Sequence, residues 1–184
     1  MNDADLLARL NTVPVLDGSV TTLGQLRAIK SLKDKVVSVI LPLACTSAHD
    51  DLRSRMQAVS DAPLHIDIQT QIHAHIAQAG VNVAPNVKNV IAVASGKGGV
   101  GKSTTAVNIA LALAHEGARV GVLDADIYGP SMPTLLNLSG KPELNTQELM
   151  MPHTQYGVQV NSIGFLIDND NPVAWRGAMV SQAL

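Results

Sequence analysis

Apolar residues recur along the chain in three rhythms. Over Asp3–Leu10, Leu6, Leu7 and Leu10 share one helical face and predict a short amphipathic helix. Pro14 and the Asp17-Gly18-Ser19 turn end it. Leu23–Lys30 and Val36–Leu41 read as two strands, joined by the polar turn Ser31-Leu32-Lys33-Asp34-Lys35. Helical spacing returns over His49–Val59 through Leu52, Met56 and Val59. Leu64–Ile72 then alternates Leu64, Ile66 and Ile68 with His65, Asp67 and Gln69, the pattern of a half-buried strand. Residues 1–80 are therefore expected to form a small α+β domain.

A linker is expected at 81–88, in a stretch that carries Pro85. From Val90 the composition shifts towards Val, Ala and Gly. Val90–Ala94 is apolar on both faces, which predicts a central parallel strand. Ser103–His115 is expected to be helical, with Val107, Leu111 and Ala114 inward and Gly117 as the C-cap. Arg119–Leu123 reads as a second parallel strand, completing a right-handed βαβ unit. Tyr156–Leu166 alternates as a strand does and includes Gly164, and a further helix is expected from near Gly177. Residues 89–184 thus read as the N-terminal part of an α/β domain with a parallel sheet.

The stretch between the first predicted strand and its helix carries the chemistry. Gly96 to Ser103 fits G-x-x-x-x-G-K-[ST], the P-loop pattern. A polyphosphate needs several backbone N–H groups converging on it, so no Cβ can intervene. Gly96, Gly98, Gly99 and Gly101 permit that approach, with Val100 between them. The helix that follows points its positive end at the phosphates. Lys102 is then expected between the β- and γ-phosphates of ATP, the Ser103 hydroxyl on Mg²⁺, and Thr104 at the α-phosphate. Asp124-Ala125-Asp126 closes the second parallel strand, where ligands bind in an α/β sheet. An Mg²⁺–ATP site needs one acidic group near the metal and one to orient water. Asp124 is assigned to the switch or metal shell, and Asp126 to the attacking water.

Composition narrows the alternatives. The 184 residues carry a net charge of −2, are 46% hydrophobic and only 2% aromatic, and contain no basic block. That disfavours a nucleic-acid surface built on stacking. The acidic N-terminus (Asp3, Asp5) is no secretory signal. Val36–Ala44 is far below the ~20 residues of a membrane span. One cysteine, Cys45, excludes an internal disulfide and fits a cytoplasmic protein, and a small buried hydrophobe is its commonest role. His65, His73 and His75 show no third metal-ligand spacing and read as solvated.

Gly-Lys-Gly-Gly-Val-Gly-Lys-Ser, with Lys97 just after the first glycine, resembles the deviant P-loop of a dimeric ATPase group. That group includes septum-positioning, partition and Mrp/ApbC-type proteins. The resemblance implies that Lys97 reaches the partner's nucleotide in an ATP-sandwich homodimer, and so takes part in catalysis. Leu123-Asp124-Ala125-Asp126-Ile127-Tyr128-Gly129-Pro130-Ser131 is similar to the Mrp/ApbC branch in particular, as is Trp175-Arg176-Gly177, although Ala178 stands where the branch has proline. The first 80 residues loosely resemble the MIP18-like domain that precedes such ATPases. Implied are the fold of a P-loop NTPase parallel sheet, here truncated, and an ATP-hydrolysing carrier of iron–sulfur clusters. Its implied partners are apoproteins and an assembly scaffold, not membranes or nucleic acid.

Family members also carry an Asp-x-Pro-Pro-Gly switch and a C-x-x-C pair that bridges a [4Fe–4S] cluster. Neither occurs in this sequence, and one cysteine cannot supply a four-thiolate site. Without the switch strand, residues 88–184 are expected to expose two apolar sheet edges and to be poorly soluble alone. Two other functions fit the P-loop less fully. One is a partition- or septum-type positioning ATPase, for which no basic amphipathic helix is visible. The other is a nucleotide-binding product without turnover.

Overall fold

The computed structural model describes residues 2–75 and 86–166. The chain divides into two compact units that part between Ile91 and Ala92. The predicted features Trp175-Arg176-Gly177, the helix near Gly177 and most of the 81–88 linker lie outside the described residues.

In the first unit, helix α1 (Asp3–Asn11) starts at Asn2, whose side chain accepts the Asp5 N–H at 2.8 Å. Leu6 and Leu10 enter the core, while Leu7 stays at the rim. Strands β1 (Ile29–Lys33) and β2 (Val36–Leu41) pair antiparallel. Asp34 and Lys35 turn between them, both at positive φ (51° and 63°), which matches the twist of a tight hairpin. Helix α2 (His49–Ala58) then leads to β3 (His65–Thr70), which lies parallel to β2 from Val36↔His65 to Leu41↔Thr70. Leu10, Leu23, Val37, Val39, Leu41, Leu52 and Met56 make the enclosed centre.

The expected strand over Leu23–Lys30 is corrected here. Leu23–Arg27 is a turn, and β1 begins only at Ile29. The Thr22 N–H donates to Gln25 Oε1 (2.9 Å) and the Gln25 N–H to Thr22 Oγ1 (3.3 Å), a reciprocal pair with capping-box spacing that coils the backbone. Gly24 also packs so closely that a Cβ would lie 2.8 Å from the Asn11 carbonyl oxygen. Leu23 and Ala28 are therefore buried by a turn, not by strand alternation.

In the second unit, helix α3 (Lys102–His115) is followed by β4 (Val120–Asp124), the short α4 (Met132–Leu135), β5 (His153–Gln155) and β6 (Val158–Ser162). The sheet order is β4-β6-β5, with β4 parallel and β5 antiparallel to β6. Val107 and Ala110 of α3 pack with Met132, Leu136, Val158, Val160 and Phe165. Gly117 closes α3 as expected. At φ 88° it donates its N–H to Ala114 O, and the Ala118 N–H donates to Leu113 O.

Two expectations change in this unit. Val90–Ala94 is not a strand, and Val90 and Ile91 are 70% and 62% exposed. A strand requires a hydrogen-bonded neighbour. β4 pairs with β6 alone, and no described strand runs beside Val90–Ala94, so the expected βαβ unit does not form among the described residues. Tyr156–Leu166 is also not one strand. Tyr156-Gly157 forms a hairpin turn, β6 ends at Ser162, and Ile163–Phe165 coil into a 3₁₀ turn. Among the described residues no helix is long and apolar enough to cross a membrane.

Candidate functional site

The loop before α3 is shaped for an anion. Gly99 and Gly101 take φ of 75° and 85°, the left-handed region that glycine enters without strain. Gly101 is the N-cap residue of α3, and no side chain caps the helix. The first helical bond runs from the Thr105 N–H to Gly101 O at 2.9 Å. The N–H groups of Lys102, Ser103 and Thr104 precede it and are the donors a helix start leaves for an outside partner.

Gly96 and Gly98 give a separate indication. Neither has positive φ, and beyond the adjoining residues no protein atom lies within 4 Å of where a Cβ would stand. Nothing within the fold requires glycine there, whereas a bound phosphate chain would. Gly98→Val is accordingly expected to leave the thermal unfolding midpoint unchanged and to weaken ATP binding at least ~10-fold, about 1.4 kcal/mol. Calorimetric ATP titration beside a melting curve reads both. A melting midpoint that falls with unchanged affinity would contradict the ligand role.

The charged groups meet at the front of this loop. Lys102 Nζ lies 2.8 Å from Asp126 Oδ2, with the two side chains 34% and 36% exposed. The Lys102 hydrogen bond, its charge and the Gly129 N–H hold the Asp126 carboxyl below its ordinary range, against the opposing effect of burial. Lys97 is exposed, and its N–H donates to Ser95 Oγ at 3.1 Å. Ser103 is half-buried and Thr104 exposed, in the first turn of α3.

Asp124 is differently placed. It is buried at the end of β4, and its two oxygens accept four hydrogen bonds. The donors are the N–H groups of Asp126 (3.2 Å), Ser131 (3.1 Å) and Met132 (3.2 Å), and the Ser162 hydroxyl (3.0 Å). The carboxylate thus ties β4 to the loop that carries Asp126. Sequence reasoning singled out Asp124 but not Ser162. The signal was available, because alternation through Val158 and Val160 puts Ser162 on the inward side.

The other candidates are not drawn into a site. Cys45 is buried in the first unit's core. His73 and His75 are exposed, and among the described residues no three His, Cys, Asp or Glu side chains are placed to hold a metal ion.

A glycine loop opening onto an uncapped helix, with a lysine paired to a carboxylate two residues past a strand end, is the arrangement of a P-loop nucleoside-triphosphatase. The chain belongs to the ParA family of NUBPL iron-transfer P-loop NTPases, whose model matches residues 86–184. It is 52% identical over 133 residues to an iron-sulfur cluster carrier protein of Pseudomonas fragi, covering 71% of this chain and 46% of that one. It is 43% identical over 182 residues to the iron-sulfur cluster carrier protein of Escherichia coli (strain K12), covering 93% and 48%. Similarity reaches the mouse iron-sulfur cluster transfer protein NUBPL, at 56% over 100 residues, 53% of this chain and 31% of that protein. The chain spans about half the length of the bacterial carriers it matches.

Proposed function

We propose that this chain binds and hydrolyses ATP with Mg²⁺ as the nucleotide-responsive part of a carrier that passes iron–sulfur clusters to apoproteins. The observation that carries the reading is the uncapped glycine cradle with the Lys102–Asp126 pair in front of it. The residues present fit Mg²⁺–ATP. Gly96, Gly98, Gly99 and Gly101 leave open space where a Cβ would stand, the first turn of α3 offers uncapped N–H donors, Lys102 supplies a cation, and Ser103 offers a hydroxyl at the helix start. When bound, Mg²⁺ neutralises developing phosphate charge. In this reading Asp126, freed from Lys102 by the arriving phosphates, orients the attacking water. Asp124 belongs to the switch and metal shell through the loop it holds. Lys97 is free to reach across a homodimer to the partner's nucleotide.

The cluster is cargo in this reading, and no ligand for it is placed on the residues described. The names of the relatives support the carrier role. Asp126→Asn is the direct test of the chemical half. It is expected to reduce ATP turnover about 100-fold or more while ATP still binds. Turnover within threefold of wild type would remove Asp126 from the chemistry. The carrier half is tested by cluster transfer to an apoprotein acceptor, followed by the acceptor's visible absorbance. Transfer that does not respond to ATP would defeat it.

A further inference from the structure

Asp124 and Ser162 are the two buried polar residues among those described, 5% and 2% exposed, and they face each other as register partners across β4 and β6. The Ser162 hydroxyl donates to Asp124 Oδ2 at 3.0 Å and accepts the Gly164 N–H at 3.1 Å. Among the described residues it is the one side-chain donor to the Asp124 carboxylate. The other three donors are backbone N–H groups at 126, 131 and 132, which span the loop that delivers Asp126 to Lys102 and the first residue of α4 that closes it. The loop is also seated against this strand end, since a Cβ on Gly164 would lie 3.0 Å from Pro133 Cγ and 3.2 Å from Pro130 Cβ.

We propose that Ser162 is a positioning residue of the nucleotide site. Through Asp124 it fixes the loop bearing Asp126, and so holds Lys102 in its nucleotide-free pairing. The proposal rests on the nucleotide reading above and extends it to a residue 38 positions along the chain from Asp124. A buried carboxylate with four donors has one orientation. Without the only donor from outside residues 126–132, the Asp124 side chain turns about its own bonds on β4, and the backbone it holds at 126 turns with it instead of staying fixed towards β6. Lys102 then loses a fixed partner. Phosphate no longer has to displace a well-placed Asp126, so ATP binding becomes easier. A merely structural role for Ser162 predicts the reverse, because a damaged site binds less tightly.

The test is the ATP dissociation constant, measured calorimetrically at low salt without divalent cation, for the full chain. Ser162→Ala is expected to tighten binding roughly two- to fivefold, the range open to an ion pair about a third exposed. Asp126→Asn is expected to tighten it by as much or more, and the double variant to bind no tighter than Asp126→Asn alone. Ser162→Thr, which restores the hydroxyl, should return to wild type. Weaker or unchanged binding in Ser162→Ala, or full additivity with Asp126→Asn, overturns the proposal. If the wild type binds no ATP, the nucleotide reading itself fails, and amide exchange in the free protein decides what remains. Exchange at Asp126, Ser131 and Met132 at least ~10-fold faster in Ser162→Ala, with α3 unchanged and Thr restoring protection, keeps the positioning step. Unchanged exchange there removes it.

Discussion

Replacing Lys102 with alanine is expected to weaken ATP binding about 100-fold or more. The lysine is the first residue of α3 and meets Asp126 at 2.8 Å. Two losses combine in the variant. The phosphates lose a point charge with three rotatable donors, and the Asp126 carboxylate is left facing them with no cation between. A lysine hydrogen-bonded to phosphates enclosed by the loop is a desolvated charge pair, for which removing one partner costs ~2–5 kcal/mol, and about 2.8 kcal/mol is already 100-fold. Folding should hardly notice, because both side chains of the pair are about a third exposed and such pairs contribute ~0–1 kcal/mol. Lys102→Arg should recover little, since a planar fork does not replace a compact ammonium in a narrow loop. Calorimetry of the three proteins with ATP, beside their melting curves, separates binding from folding. Affinity within threefold of wild type for Lys102→Ala would falsify the phosphate role of this residue.

The candidate nucleotide site is legible in the amino-acid sequence because its constraints are local. Glycines at 96, 98, 99 and 101 followed by Lys102 and Ser103 encode a backbone shape and a helix start within eight residues, so spacing alone carries the geometry. The same holds for Gly117, whose αL turn closes α3, and for α1 and α2, whose apolar spacing is short-range. Strands are less legible, because a strand is defined by its neighbour. Val90–Ala94 has the composition of a central strand but no partner among the described residues, and Val90 and Ile91 stand exposed. The turn at Leu23–Arg27 defeats the alternation argument for the opposite reason. Its burial comes from a side-chain-capped turn, and Thr22 and Gln25 spell that out three residues apart. Ser162 illustrates the long-range case. Its partner is 38 residues away, and only the β4–β6 register brings the two together.

Asp124 should prove the opposite of Lys102, costly to folding before it is costly to binding. Asp124→Ala is expected to destabilise the second unit by about 3 kcal/mol or more. Four donors converge on this buried carboxylate, and hydrogen bonds to a charged group are worth ~1.5–3 kcal/mol each before compensation. Alanine takes the common acceptor away from three N–H groups and a hydroxyl. Asp124→Asn is the informative companion. Its single oxygen can still accept from Ser131, Met132 and Ser162, the three donors that share Oδ2, while its NH₂ must face the Asp126 N–H. One bond is lost and one donor–donor contact made, a cost nearer ~1–2 kcal/mol. Hydrogen exchange resolves the effect by region. Protection should collapse over residues 120–136 and 158–165 in Asp124→Ala, fall partly in Asp124→Asn, and remain intact in β1, β2 and β3. Equal exchange in the alanine variant and wild type would show that the carboxylate does not hold this loop. The ranking matters for interpreting function, because a nucleotide-binding defect in an Asp124 variant then follows from a displaced Asp126, whereas the same defect in a Lys102 variant arises in a site that is still folded.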